Sequence, residues 1–236
     1  MIRGFYTALT GVVAAMTRQA VVADNIANVN TVGFKQSRTR QTDYELSIMN
    51  AVGPELGLLG SGTIPTGLRL DVSQGPLQAT DVQTDLAVEG DGLFVVRTGS
   101  GIAYTRAGDF QKDVTGTLVT EQGYPVLDVN GHTITPGQNF TVDTDGTIVE
   151  TGQRIALVAW PPGGATRLGE NLYGAAGNLS PATGQIRQRM LEGSNTDMSM
   201  AMTELITQQR QFQMSARALS LQDNTLGDAT QLGRLR

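Results

Sequence analysis

A lone histidine, a few clustered carboxylates and some glycine-bracketed turns are the places in this sequence where chemistry could sit. His132 is the only histidine. A catalytic imidazole needs a nucleophile to deprotonate and a third group to orient it. Its neighbours, Asn130-Gly131 and Thr133-Ile134, supply neither, so a turn or surface position is expected. Asp143-Thr144-Asp145-Gly146 with Glu150 faintly resembles a calcium loop. That chemistry needs a further oxygen ligand before the glycine and a glutamate about six residues after it. Here Asp145 itself precedes Gly146, and Glu150 comes too soon. A hairpin turn explains the pair better. Gly90-Asp91-Gly92 lacks the spacing of a dinucleotide loop and opens no helix, so it too reads as a tight turn. Asp81, Asp85, Glu89 and Asp91 lie close in sequence, yet no pair among them stands out as a hydrolytic acid and base. No catalytic residue, cofactor site or metal site is expected, and the chain does not read as an enzyme.

Composition narrows the classes further. The 236 residues include no cysteine, which removes disulfides, thiolate metal sites and cysteine nucleophiles together. Net charge is −5 and Lys and Arg form no run, which argues against a nucleic-acid partner. No stretch approaches the ~18 apolar residues of a membrane span. Arg3 and the run from Phe5 to Met16 loosely resemble a leader, but Thr7, Thr10 and Gly11 interrupt it and the pattern continues to Val29. A retained helix is expected instead.

The elements that would position any function divide into four segments. Residues 1–30 read as an N-terminal helix, 31–70 as an extended, glycine-rich connector, 71–190 as a domain of short strands, and 191–236 as a C-terminal segment that becomes helical from about 197. The fold class expected is α+β, with the two terminal helices paired as a coiled-coil-like bundle.

The N-terminal helix carries the strongest pattern. With Ile2 at heptad position a, column a holds Ile2, Leu9, Met16 and Ala23, and column d holds Phe5, Val12, Gln19 and Ile26. Column e holds Tyr6, Val13, Ala20 and Ala27, and column g holds Ala8, Ala15, Val22 and Val29. Gln19 is the one polar residue among them, and Arg3, Arg18 and Asp24 all fall elsewhere. A two-stranded coil needs only a and d apolar. Four apolar columns are too wide for a single partner helix, so neighbours from other subunits are expected. A core helix wrapped by its own domain is the alternative. The C-terminal helix has a narrower seam, with Met198, Leu205, Phe212, Leu219 and Leu226 at heptad spacing. Its companion column Met202, Gln209, Ala216 and Asp223 is half polar. Gln208, Gln209, Gln211 and Gln213 could form a solvated face or a register-setting interface, and the sequence does not separate the two.

The middle is punctuated by turns. Asn130-Gly131 and Asp145-Gly146 read as type I′ hairpin signals. Ile155 to Trp160 reads as a buried strand ended by Pro161-Pro162. Many short strands are expected.

Several blocks resemble the flagellar axial-protein family, which includes rod and hook subunits. Ala23-Asp24-Asn25-Ile26-Ala27-Asn28-Val29-Asn30-Thr31-Val32-Gly33-Phe34-Lys35 is similar to its N-terminal signature. Leu191-Glu192-Gly193-Ser194-Asn195-Thr196-Asp197-Met198, with Gln209-Arg210-Gln211-Phe212, resembles its C-terminal end. Between them, Gln74-Gly75-Pro76-Leu77, Asp85-Leu86-Ala87-Val88 and Tyr104-Thr105-Arg106 also match. The opening Phe5-Tyr6-Thr7-Ala8 and the ending Gln231 to Arg236 are most similar to proximal-rod members, with distal-rod members next.

The resemblance implies a structural subunit of the basal-body rod, stacked with copies of itself and other rod subunits into a hollow shaft across the periplasm. It implies delivery by the flagellar type III export apparatus without a cleaved signal. It implies that the terminal helices are the assembly interface and fold on addition to the rod. The motif residues it marks are Asn25, Ala27, Asn28, Thr31, Gly33, Phe34, Glu192, Ser194 and Asn195. A distal-rod or hook-type subunit, an oligomeric β module binding the cell wall, and a wall hydrolase stand as alternatives.

Overall fold

The computed structural model describes residues 2–45, 60–161, 164–175 and 179–234. They form two compact units. One gathers residues 1–27, 37–69 and 197–236; the other, here called the β body, gathers 28–36 and 70–196. The class is α+β.

In the first unit, α1 spans Ile2–Ala27 and α2 spans Met198–Arg234. Asp197 starts α2: its Oδ1 accepts the N–H of Met200 at 3.0 Å, filling an orphan donor of the first turn. The two helices pack on each other. Small residues allow a close approach: a side chain added at Gly11 would lie 3.7 Å from Ser215 Oγ. Among the described side chains of α2, Ala201, Leu205, Gln208, Phe212, Ser215, Leu219 and Gln222 are buried or half-buried, alternating by four and three, with Ala216 beside them. Leu205, Phe212 and Leu219 of the expected seam are therefore half-buried. The companion column is not the Met202 series, which stays largely exposed, but a small and polar one. The side chains of Ile2, Phe5 and Leu226, all expected in the interface, lie outside the described residues.

Where an extended connector was expected, the chain forms two long strands, β1 (Ser37–Glu45) and β2 (Gly60–Leu70), paired as a ribbon.

The β body is built from eleven short strands among the described residues. β3 (Leu77–Ala79) and β4 (Leu86–Glu89) lead into a hairpin of β5 (Leu93–Thr98) and β6 (Gly101–Thr105). β7 (Gln111–Lys112) pairs with β8 (Leu118–Val119). β9 (Leu157–Val158), β10 (Thr166–Gly169) and β11 (Leu172–Gly174) complete a five-stranded sheet in the order β10-β11-β6-β5-β9. β12 (Gln185–Gln188) then returns to pair with β4, and β13 (Met190–Glu192) with β3. One core runs through all of it, from Leu86, Val88 and Phe94 through Leu118, Ile134 and Ile148 to Ile186. Phe94 and Phe110 meet edge to face at 5.0 Å.

Residues 110–154 hold an internal repeat that periodicity alone did not reveal. Asp113, Asp128 and Asp143 stand at equal intervals, as do Gly116, Gly131 and Gly146. In each copy the glycine N–H donates to the aspartate carbonyl, and the aspartate N–H donates to the residue after the glycine. All three glycines have φ between 80° and 85°, while Asn130 and Asp145 are not left-handed. The turns are thus type I turns closed by a left-handed glycine, and the type I′ expectation is corrected. In the first two copies the aspartate that starts the turn favours this, because its side chain accepts amides two and four residues on. Asp113 Oδ1 accepts from Thr115 and Thr117, and Asp128 Oδ1 from Asn130 and His132. Burial would raise the Asp128 carboxyl, but the N–H groups of His132 and Asn130 outweigh it and hold its pKa below the usual value.

Candidate functional site

The segment Val32–Gln36 leaves α1 and crosses the β body, and five consecutive residues of it are tied down. Asn171 Nδ2 donates to the Val32 carbonyl at 2.6 Å. The Gly33 N–H donates to the Glu192 carbonyl at 2.7 Å. The Phe34 ring is buried and lies 4.4 Å beneath the Arg167 guanidinium, whose Nη2 donates to the Lys35 carbonyl at 2.7 Å. The Gln36 N–H donates to Asn195 Oδ1 at 2.8 Å, and its carbonyl accepts from Asp71. At Gly33, φ is +66° and a Cβ would stand 2.5 Å from the Arg106 carbonyl carbon and the Ala107 nitrogen. Only glycine satisfies both conditions.

At the centre lies a buried ionic triad. Lys35, Arg106 and Glu192 have side chains 0–2% exposed. Glu192 Oε1 accepts from Lys35 Nζ at 2.6 Å and from the Gly75 N–H at 2.8 Å. Glu192 Oε2 accepts from Arg106 Nε at 2.5 Å. The rest of the guanidinium donates to the carbonyls of Val88, Gly90 and Gly92. The Gly90-Asp91-Gly92 turn therefore exists to present carbonyls to Arg106. Lys35 Nζ also donates to the Ser73 carbonyl. Burial pushes the Lys35 pKa down, and the bond to Glu192 opposes that shift. Two cations and one carboxylate out of water are tolerable only with every donor matched.

Asn195 extends the arrangement. Its Nδ2 donates to the carbonyls of Asp71 and Ser73, so one amide joins the 71–73 stretch to Gln36. Ser194 Oγ accepts from the Thr196 N–H. In the helical unit, Asn25 plays a comparable part at the end of α1. Its Oδ1 accepts from the Ser37 N–H at 2.9 Å and its Nδ2 donates to the Ser37 carbonyl at 2.8 Å. Asn28 and Thr31 close a turn together, and Ala27 is exposed.

This arrangement clasps chain segments, and both Glu192 oxygens are held by donors at short range. Several of the other candidate carboxylates are engaged in structural contacts. Asp85 accepts from Thr80 Oγ1 at 2.7 Å, Glu89 pairs with Arg187 on the surface, and Glu150 caps the Thr141 N–H. His132 is 77% exposed and 3.8 Å from Asp128.

Thus the structure joins Gly33, Phe34, Glu192 and Asn195 in one site. It adds Lys35, Arg106 and Gly75, each in a block already noted for its resemblance, and Arg167 and Asn171, which no pattern marked. A lone arginine just past a β-strand was the available signal for Arg106.

Of the expected assembly residues, Leu9, Met16 and Met198 are exposed on the helical unit, whereas Val12, Ile26, Leu205, Phe212 and Leu219 are half-buried in it. Of α1's four apolar columns, g is buried or half-buried at Ala8, Ala15 and Val22, and d is half-buried at Val12 and Ile26. The described side chains of columns a and e are exposed, with Leu9 at 39%, Val13 at 48% and Met16 at 55%. On α2, Met198, Met200, Met202, Ile206, Met214 and Leu221 are also exposed. Among the described residues, neither helix is long and apolar enough to cross a membrane.

Comparison with known proteins matches three stretches. Residues 5–35 match the family profile described as flagella basal body rod protein. Residues 87–150 match the flagellar hook protein FlgE/F/G D1 domain, and residues 187–232 the flagellar basal body rod FlgEFG protein C-terminal region. Across 99% of this chain and 100% of the relative, it is 36% identical to the flagellar basal-body rod protein FlgG of Bacillus subtilis (strain 168). The FlgG protein of Borreliella burgdorferi is 31% identical over 99% of this chain and 100% of its own. The FlgF protein of Caulobacter vibrioides is 35% identical over 87% of this chain and 86% of its own.

Proposed function

Because the chain belongs to the flagellar basal-body rod protein family, we propose that α1 and α2 are the surfaces through which it polymerises into a hollow shaft. It is a structural subunit of the rod and not an enzyme. The observation that carries the polymerisation reading is the bare apolar stripe of Leu9, Val13 and Met16. In the structure both helices are formed and α2 covers one side of α1. The uncovered side is what neighbouring copies and other rod subunits bury, in a coiled-coil-like bundle of helices from several chains.

Within the rod, the full-length cover by FlgG relatives supports a FlgG-type, distal position. The end sequences and the FlgF relative support a FlgF-type, proximal one as the second reading. Deleting the gene and imaging where rod growth stops separates them. Passage through the flagellar export apparatus without loss of a leader, to a periplasmic rod, completes the reading. The mass of subunits recovered from basal bodies is expected to retain residues 1–30.

Met16→Asp tests the interface. At a half-exposed position a carboxylate costs the single chain little, whereas in a dry interface it costs several kcal/mol. The expected outcome is non-motile cells carrying a soluble, folded subunit. Val12 and Leu219 are half-buried in the single chain, so aspartate there would disturb the helix pair as well. Normal motility with Met16→Asp overturns the interface.

A further inference from the structure

We infer that Gln185–Asn195 is the closing element of the β body: without it docked the body stays open, so the middle of the chain completes its fold only after this late stretch is in place. The inference concerns folding and holds whatever the protein assembles with.

Three sets of contacts carry it. First, β3 and β4 have no ladder partners among the described residues except β13 and β12. Second, the segment ties β3 and β4 to the third repeat and to the loop before β4. Ile186 enters the core and its N–H donates to the Thr144 carbonyl in the third repeat. Gln188 Nε2 donates to the carbonyls of Gln83 and Phe140, and its Oε1 accepts from the Val142 N–H. The Arg189 N–H donates to Asp85, and the Gly193 N–H to Pro76. Third, Glu192 is the carboxylate shared by Lys35 and Arg106. Undocked, it leaves two cations that no body could bury.

Sequence separation sets the order of events. The repeat turns and the β5–β6 hairpin close through neighbours, whereas the Lys35–Glu192 bond spans 157 residues. Local contacts form first and long closures last. A chain made from its N-terminus onward therefore holds Lys35 and Arg106 without a counter-charge until Glu192 appears.

Hydrogen exchange of the full-length protein is the test. Leu86 and Leu118 donate within the body, to Gly108 and Ile134; Gly33, Ile186 and Gly193 report the closing contacts. All five amides are expected to share one opening, with the same protection and denaturant dependence. Glu192→Gln is expected to weaken all five together, on the order of a hundredfold or more. If residues 185–195 exchange early while Leu86 and Leu118 keep their protection, the segment is a peripheral strap and the inference fails. Should Glu192→Gln not fold, the wild-type comparison decides by itself.

Discussion

Replacing Glu192 by glutamine keeps its size and removes its charge. Lys35 and Arg106 then face each other across a neutral amide, and one amide hydrogen points at a cation instead of an oxygen. Removing one partner of a buried ion pair costs about 3–5 kcal/mol. A domain's whole stability is roughly 5–15 kcal/mol, so the β body should remain folded but much weakened. The matching fall in Tm is roughly 6–20 °C, and the urea midpoint should drop by about 2 M. Trp160 is the only tryptophan and meets Tyr173 edge to face at 5.2 Å, so its fluorescence reports on this body. Glu89→Gln is the reference: its partner Arg187 is 2.7 Å away, but both side chains are nearly half exposed. Such a surface pair is worth about 0–1 kcal/mol. Combining Lys35→Met with Glu192→Gln should recover part of the loss, because Arg106 keeps its three carbonyl acceptors. If Glu192→Gln costs no more than Glu89→Gln, the triad is not what holds the segments together.

Gly33→Ala should destabilise the body by more than about 1 kcal/mol, because the left-handed backbone and the contact with Arg106 and Ala107 both oppose a Cβ; a urea titration measures it. Asp109→Asn should stabilise the protein at neutral pH. Burial raises the Asp109 pKa above its ordinary 3.8, its own backbone N–H opposes, and Glu121 and Asp85 add to the rise. A raised carboxyl pKa means stability falls as pH climbs from 3.8 through the folded value, so the gain should be full at pH 7 and vanish at pH below that of the unfolded group. Thermal melts across pH would show it, and a gain independent of pH would contradict it. Gln208→Leu should raise the melting temperature of the helix pair, because Gln208 Oε1 is buried without a hydrogen-bond partner; a drop would place that amide in a bond essential to the pair.

Sequence by itself determined the two helices, the excess width of α1's apolar face and the short-stranded middle. Each rests on spacing between near neighbours, which the chain carries wherever it goes. Four apolar columns make a face wider than α2 covers, which leaves Leu9, Val13 and Met16 exposed beside buried Ala15 and Val22. The choice of companion column on α2 was not legible. Met202 is the more hydrophobic candidate, but the close approach at Gly11 admits Ser215 and its small neighbours. The Asn130-Gly131 pair does not carry the turn type by itself, because the Asp128 carboxylate gathers the amides that follow. The clasp was legible only as scattered blocks that resemble a family signature. Nothing local in Thr31-Val32-Gly33-Phe34-Lys35 says that its lysine is buried or that its counter-charge waits 157 residues away. Tertiary structure decided that, because a charge can leave water only where the whole fold delivers its partner.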